Sequence, residues 1–486
     1  MTPQAHTPSR AVLALLAVLW LLGTVRALLP VLHEPLYAYA NSYDQARYTG
    51  CFHLFPDRPA SVPPDRNSPE APHASFRFME DASPLCYGSS ELLFTGAAAL
   101  AWHVSEAVGG PPVHDVRPLG VLRWSALLAL SAVLSCAWLR RGQPLAALAN
   151  AALLPLLFSD PANTLYLATF YAEWSALLWA YALLAALLLW REAPPSRARV
   201  LLLALAALLL ATSKIQHLLL PLAVAAGLAL AAWRNGDRPG WRVVAVAVGS
   251  IAGLGLQLVQ LQRSDPMMQA IDQYNRADVL FTALLPHADD PRGLLRELGI
   301  DEACAAYSGR HAWELPDLPE PLCAGFDRFG RGDQLRVLFG HPRLALRLAA
   351  AAPGALVPWI AANLGQVEGG TFDTMPADAP PMVGAIGRLL QQRPWLQRAL
   401  LVLPPLALLV LLALPRRRAG SGVALEASAT TSALMLATLG VTVLGDGLAD
   451  VPKQGHLVTN AALAWLIVVS SIAVAAAWRG GWPRRA

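Results

Sequence analysis

Lysine is nearly missing from this sequence: of 37 basic residues, 35 are arginine, and the two lysines are Lys214 and Lys453. Charge of either sign is scarce, at 14% of residues with a net charge of +4. The arginines stand beside the ends of apolar runs, so this charge does not point to nucleic acid. No Walker loop, GxSxG, HExxH or GxGxxG is present, which removes those enzyme signatures. There is no zinc-like CxxC, no repeat of solenoid length and no low-complexity tract beyond an Ala/Leu bias.

Apolar sequence is what the chain has in quantity, with 55% hydrophobic residues and a mean hydropathy of +0.43 over 486 residues. VLLLALAALLLAT (200–212) and LLLPLAVAAGLALAAW (218–233) are two of its runs. A soluble protein of this length can bury one large core, but not nine or ten separate runs of spanning length. Inside lipid every backbone amide needs an internal partner, so such runs are helices. The first, Ala11 to Leu32, is long enough to span and has no small-residue cleavage site, so no cleavable signal is expected.

Spans are predicted near 11–32, 120–139, 144–159, 166–190, 198–212, 216–233, 242–261, 398–415, 424–444 and 457–478. With the N-terminus inside, the short cytoplasmic flanks hold Arg10, Arg140, Arg141, Arg191, Arg197, Arg199, Arg234, Arg238, Arg242, Arg416, Arg417, Arg418, Arg479, Arg484 and Arg485. The short outer loops hold only Lys214 and Lys453. This asymmetry places both termini in the cytoplasm. The predicted fold is all-α: a polytopic transmembrane helical protein of about ten spans, with two large outer-face loops containing surface helices. Its parts are a first span (1–32), an outer loop (33–119), spans two to seven (120–261), a large outer loop for donor or acceptor recognition (262–397), and spans eight to ten (398–486) with the outer loop 445–456.

Within the outer segments, 89–110 and 341–365 read as helices on or near the membrane surface, since counting either alone as a span would invert the arginine pattern. The prolines of the first outer segment exclude long helices before about Ser89. DDPRGLLRELG reads as a capped helix, with Asp289 or Asp290 near the N-cap, Pro291 in the first turn and Gly299 as the stop. Cys51 and Cys86 share the first outer segment and Cys304 and Cys323 the second, whereas Cys136 lies in a span. Two pairs, each within one loop, suit a disulfide-permitting compartment.

Polar groups in or beside the membrane are costly unless partnered, and so carry the information. Asp44, about a dozen residues after the first span, can serve as general base, and partial burial would raise its basicity. Arg47, one helical turn on, either holds a phosphate or orients Asp44. The plainer alternative is a loop aspartate paired with its neighbouring arginine. Glu173, early in a span entering from outside, must face the interior or a cavity, as a second catalytic carboxylate or, in the plainer reading, paired structurally with a cation. Asp160 reads as a turn or helix-capping residue. The two lysines occupy matching places, ATSKIQH and DVPKQGH, each with a histidine three residues on: Lys214 with His217, Lys453 with His456. In so arginine-rich a chain, lysine marks a need for a compact point charge, as for a lipid-linked phosphate leaving group. Asp446 and Asp450 could bind a metal or pair with Lys453 and His456, and Gln216 is a further supporting residue. A divalent metal stays open.

These features resemble the GT-C superfamily of integral-membrane glycosyltransferases, and more narrowly its bacterial glycan-biosynthesis hexosyltransferases. The matching stretches are SYDQARY (42–48), FYAEWSALL (170–178), TSKIQH (212–217), QYNRADVLFTALLPHADDPRGLLRELGI (273–300) and GDGLADVPKQGH (445–456). The resemblance implies inverting transfer of a hexose from a polyprenyl-phosphate donor to a glycan or other envelope acceptor, at the outer face of a bacterial inner membrane. It implies Asp44 as the catalytic base. Many relatives carry paired acidic residues in the first loop, whereas Asp44 stands between Tyr43 and Gln45, so metal-independent chemistry is equally open. A lipid-linked glycan transporter or flippase and a polymerase-type envelope assembly protein are the competing readings. A transporter would set charges or Gly/Pro breaks in mid-span, in matching halves of the chain, whereas here the polar residues gather at the outer ends.

Overall fold

Every apolar run read as a span is helical. The computed structural model of the chain describes residues 8–34, 36, 42–57, 74–80, 86–237, 240–262, 266–315, 322–357, 359, 384–414 and 421–480. The Pro-rich stretch 58–73, Arg238, Arg416, Arg417, Arg418, Arg484, Arg485 and the 360–365 end of the second surface helix lie outside these residues.

In chain order, α1 (Arg10–Val31) starts at Ser9, whose hydroxyl accepts from the Val12 amide, and is followed by α2 (Ser42–Thr49), β1 (Leu54–Pro56), β2 (Ser75–Phe78), α3 (Leu92–Ala107) and β3 (His114–Asp115). Then come α4 (Arg117–Arg140), α5 (Pro144–Leu153) running into a π-turn at Leu154–Phe158, the short α6 (Pro161–Thr164), α7 (Glu173–Leu189), α8 (Arg197–Ala211), α9 (Leu220–Asn235) and α10 (Trp241–Leu261). The second outer segment holds α11 (Pro266–Asp278), α12 (Leu285–His287), α13 (Pro291–Leu298), α14 (Arg331–Gly340) and α15 (Pro342–Ala355). The chain closes with α16 (Ala385–Gln392), α17 (Pro394–Ala413), α18 (Ser421–Asp446), α19 (Val451–Gln454) and α20 (His456–Gly480).

Among the described residues, seven helices are long and apolar enough to cross a membrane: Arg10–Val31, Arg117–Arg140, Ile215–Asn235, Trp241–Leu261, Pro394–Ala413, Gly422–Asp446 and His456–Ala477. At 1.5 Å per residue the 22 residues of α1 reach about 33 Å, a match to the hydrocarbon core. Pro144–Phe158 and Glu173–Leu189 are shorter apolar helices, and α8 has 15 residues. The chain is thus an all-α polytopic membrane protein. One boundary moves: the span expected over 166–190 becomes helical only at Glu173, because Arg123 captures the carbonyls of Tyr166, Leu167 and Thr169 that a helix would need.

Close approach of backbones fixes the bundle. A Cβ at Gly249 would lie 2.0 Å from the Ala204 carbonyl oxygen, and one at Gly227 would lie 2.6 Å from that of Ala429. Small residues let α10 meet α8 and α9 meet α18 without side chains between them. At one end of the bundle Glu426, near the start of α18, takes Arg242 at 3.1 Å and Arg191 at 3.4 Å, and Arg242 also donates to the Leu187 carbonyl at 2.9 Å. The connections at the other end carry the residues that sequence marks as chemical.

Two structures on that second end were not legible as such. β1, β2 and β3 form an antiparallel sheet, pairing Leu54 with Phe78 and Phe76 with His114. Its buried Phe76 packs edge-on against Phe170, 4.8 Å between centroids. The second outer segment builds a core of its own around Phe281, Cys304, Phe326 and Phe329, into which Leu344 and Leu348 of α15 pack. There α13 is capped by Asp290, which accepts from the Gly293 amide at 3.0 Å, and ends at Gly299 in the left-handed region (φ 68°).

Candidate functional site

The loop after α1 is pinned at several points, and this places Asp44. Gln45 accepts the Phe170 amide at 2.8 Å, the Arg47 carbonyl accepts the Tyr87 amide at 2.7 Å, and Gly88 donates to Gln260 of α10 at 2.8 Å. Cys51 and Cys86 are joined, Cα atoms 4.5 Å apart, closing 35 residues between the end of α2 and the segment docked on α10. Cys304 and Cys323 are joined in the second outer core. Replacing Cys51 by serine is expected to cost about 3–4 kcal/mol, mostly by freeing the unfolded chain. Denaturant unfolding of the oxidised protein in detergent reads it, and a loss below about 1 kcal/mol would show that the clip does not restrain α2.

The two lysines and the two principal carboxylates meet in one cluster. Arg47 and Lys453 donate to different oxygens of Asp44. Lys453 also lies 3.3 Å from Asp450 and over the Tyr171 ring, 4.6 Å from its centroid. Lys214 donates to Glu173 at 2.8 Å and to Gln454. The single turn of α19 therefore reaches both halves: Lys453 to Asp44, Gln454 to Lys214. Glu173, Lys214 and Lys453 are buried.

The remaining residues singled out from sequence border this cluster. His456, 2% exposed, stands 5.3 Å from the Tyr166 ring, with the Glu173 and Lys453 backbones beside its imidazole. Gln216 has a buried, unpartnered Oε1. His217 is occupied, its Nδ1 2.8 Å from the Ser213 hydroxyl. Asp446 lies close to Asp278 rather than in an ion pair with Lys453. Burial, then the charge of Asp446, pushes the Asp278 carboxyl well above its ordinary range. Asp160 does cap α6, accepting from Ala162 at 3.2 Å, and it takes the Gly387 amide as well at 2.9 Å. Among the described residues no three His, Cys, Asp or Glu side chains are grouped to hold a metal ion.

Two expectations are corrected by this geometry. Burial does act to raise the Asp44 carboxyl, but Arg47, Lys453 and Lys214 together outweigh it and hold the group well below its usual range. The resting carboxylate is therefore a weak base, not a strengthened one. Nor do the lysines stand ready for an anion: each is already neutralised by a carboxylate. Lys453, despite burial, is held above the ordinary ammonium range by Asp44, Tyr171 and Asp450. Burial raises Asp450 to about 6, with Lys453 opposing.

Sequence reasoning missed the support beneath the site. Arg123 and Glu91 form an ion pair at 0% exposure, Ser175 donates to the second Glu91 oxygen at 2.5 Å, and Arg123 donates to the Tyr166 and Leu167 carbonyls at 2.9 Å each. That holds the loop bearing Tyr166 and Tyr171 over Lys453. Arg123, the lone arginine inside the apolar run 120–139, was the available signal. Glu91, assigned to a surface helix, is fully buried because it serves this arginine.

No curated protein and no solved structure matches the chain. A family model does, over residues 14–324, a stretch that contains Asp44, Glu173, Lys214 and His217 and stops before Lys453 and His456. With more than half of its length matched, the chain belongs to the family described as the YfdI N-terminal transmembrane domain.

Proposed function

We propose that the chain is a GT-C-type membrane glycosyltransferase that moves a hexose, with inversion, from a polyprenyl-phosphate donor to an extracytoplasmic glycan or other envelope acceptor. The observation that carries this reading is the meeting of Asp44, Lys453, Lys214, Arg47 and Glu173 at the bundle end away from the arginine-rich flanks. By the arginine asymmetry that end faces outward from a bacterial inner membrane, with both termini inside.

The acceptor hydroxyl attacks the sugar's anomeric carbon from the face opposite the phosphate. Its O–H proton passes to Asp44 as the new C–O bond forms, and the anomeric carbon–phosphate oxygen bond breaks with its electron pair going to the phosphate. Lys453 and Arg47, with Lys214 beside them, take up the charge that develops there. Once the phosphate draws these cations, Asp44 loses the pull that keeps it weak, and its basicity rises where the acceptor arrives. Glu173 holds Lys214 in place, and Asp450 compensates Lys453. No step runs through a metal.

The purified chain should transfer from polyprenyl-phosphate hexose and not from a nucleotide hexose, with the product's anomeric configuration inverted. Use of a nucleotide sugar alone, or retention, would overturn the reading. Lys453→Ala and Lys214→Ala should each lower kcat/KM for the donor by about 10²-fold and leave the acceptor KM within a small factor. Unchanged donor dependence would remove the lysines from the phosphate site.

A further inference from the structure

A cavity of about 1600 Å³ opens at the arginine-rich end of the bundle, between α1, α5, α7, α18 and α20. It runs inward along α7 from Leu189 at this end to Leu177, one turn short of Glu173, and along α20 up to Leu457 beside His456, so its wide, arginine-rimmed mouth and the charged cluster stand at opposite ends of α7. Its walls are apolar, with Leu184 and Leu188 of α7, Leu434 of α18, and Ala461, Ala464 and Trp465 of α20.

Several of the polar groups in its lining are already spent within the protein. Asn150 donates to Ser135 at 2.9 Å and accepts from Tyr181 at 2.9 Å. Asn460 donates to Asn163, Thr430 to the Glu426 carbonyl at 2.8 Å, and the Trp465 ring nitrogen to Ser428 at 2.9 Å. A wall that is mostly apolar, with these polar atoms satisfied, offers little to a sugar and suits hydrocarbon.

The rim is different. Arg140, Arg141, Arg191 and Arg199 surround it, against the single acid Glu192. Arg191 is paired with Glu426 at 3.4 Å and Glu192 at 3.1 Å, and Arg199 donates to the Pro194 carbonyl at 2.6 Å. Among the described residues the Arg140 and Arg141 side chains make no ion pair or hydrogen bond, and Arg141 feels both the repulsion of Arg199 and the attraction of Glu192. Two such guanidinium groups above a hydrocarbon-lined chamber match a molecule with an anionic head and apolar chains.

We infer that this cavity binds an anionic phospholipid of the cytoplasmic leaflet, acyl chains between α7, α18 and α20 and headgroup phosphate on Arg140 and Arg141. Such a lipid fills the chamber and bridges α5 to α7 and α20, without taking part in the chemistry at the other end. The inference does not depend on the glycosyl-transfer reading.

Native mass spectrometry of the full chain, stripped of lipid in detergent and titrated with phosphatidylglycerol or phosphatidylcholine of the same acyl chains, tests it. Phosphatidylglycerol should be retained about tenfold more strongly, and Arg140→Ala/Arg141→Ala should erase that preference. Ala464→Leu, which narrows the chamber, should reduce retention of both lipids while the protein stays monodisperse. Equal retention of the two lipids by the unmodified chain would overturn the inference, as would a preference that survives loss of both arginines. Polyprenyl phosphate displacing phosphatidylglycerol through the same arginines would assign the chamber to a different occupant and overturn it too.

Discussion

Asp44→Asn is expected to lower transfer by about 10³-fold while leaving the chain inserted and folded. The amide keeps the shape of the carboxylate but cannot take up the acceptor's proton. Its carbonyl oxygen would still accept from Lys453, so the loop stays in place, held independently by Gln45, by the Arg47 carbonyl and by the Cys51–Cys86 link. The loss should fall on kcat more than on the donor KM, because Lys453 and Arg47, relieved of a counter-charge, remain able to meet the phosphate. Steady-state kinetics on monodisperse protein decides it, and full activity in this variant would remove Asp44 as the base.

The largest stability effect is expected beneath the site, at Arg123. Methionine there should cost about 3–5 kcal/mol, since removing one member of a fully buried ion pair leaves the other charge uncompensated. Here the residue left is Glu91, at 0% exposure, and the carbonyls of Tyr166, Leu167 and Thr169 lose their donor as well. Glu91→Gln should be milder, because the amide keeps hydrogen-bonding capacity toward Ser175 and Arg123. Thermal or denaturant unfolding in detergent should rank them in that order. An Arg123→Met variant within about 1 kcal/mol of the parent would show that the pair is better solvated than its burial implies.

What sequence could show here was whatever depends on near neighbours or on lipid. Ten apolar runs had to be helices because lipid offers a backbone no other partner, and each carries a helix, the one over 166–190 only from Glu173 onward. The cap at Asp290 and the stop at Gly299 are signals spaced within one short helix, and they hold. Two lysines in an arginine-rich chain stood out by residue type alone, and the fold brings both into one cluster with Asp44 and Glu173. The electrostatic state of that cluster was out of reach. The basicity of Asp44 turns on Lys453, 409 residues away, and burial without that partner argues for the opposite sign. The Glu91–Arg123 pair joins residues 32 apart, one capping α3 and one within α4, and neither residue's local sequence names the other. The small sheet was hidden for a similar reason: its strands are two to four residues long, too short for alternation to register.

The central claim, that a lipid-linked phosphate is handled where the two lysines converge, is tested most directly by a structure of the full chain with polyprenyl phosphate bound. The account places the phosphate within hydrogen-bond reach of Lys453, with Arg47 or Lys214 as second donor and Asp44 released from at least one of its cations. A phosphate seated instead among Arg140, Arg141 and Arg199, with the Asp44–Lys453 and Glu173–Lys214 pairs undisturbed, would contradict it.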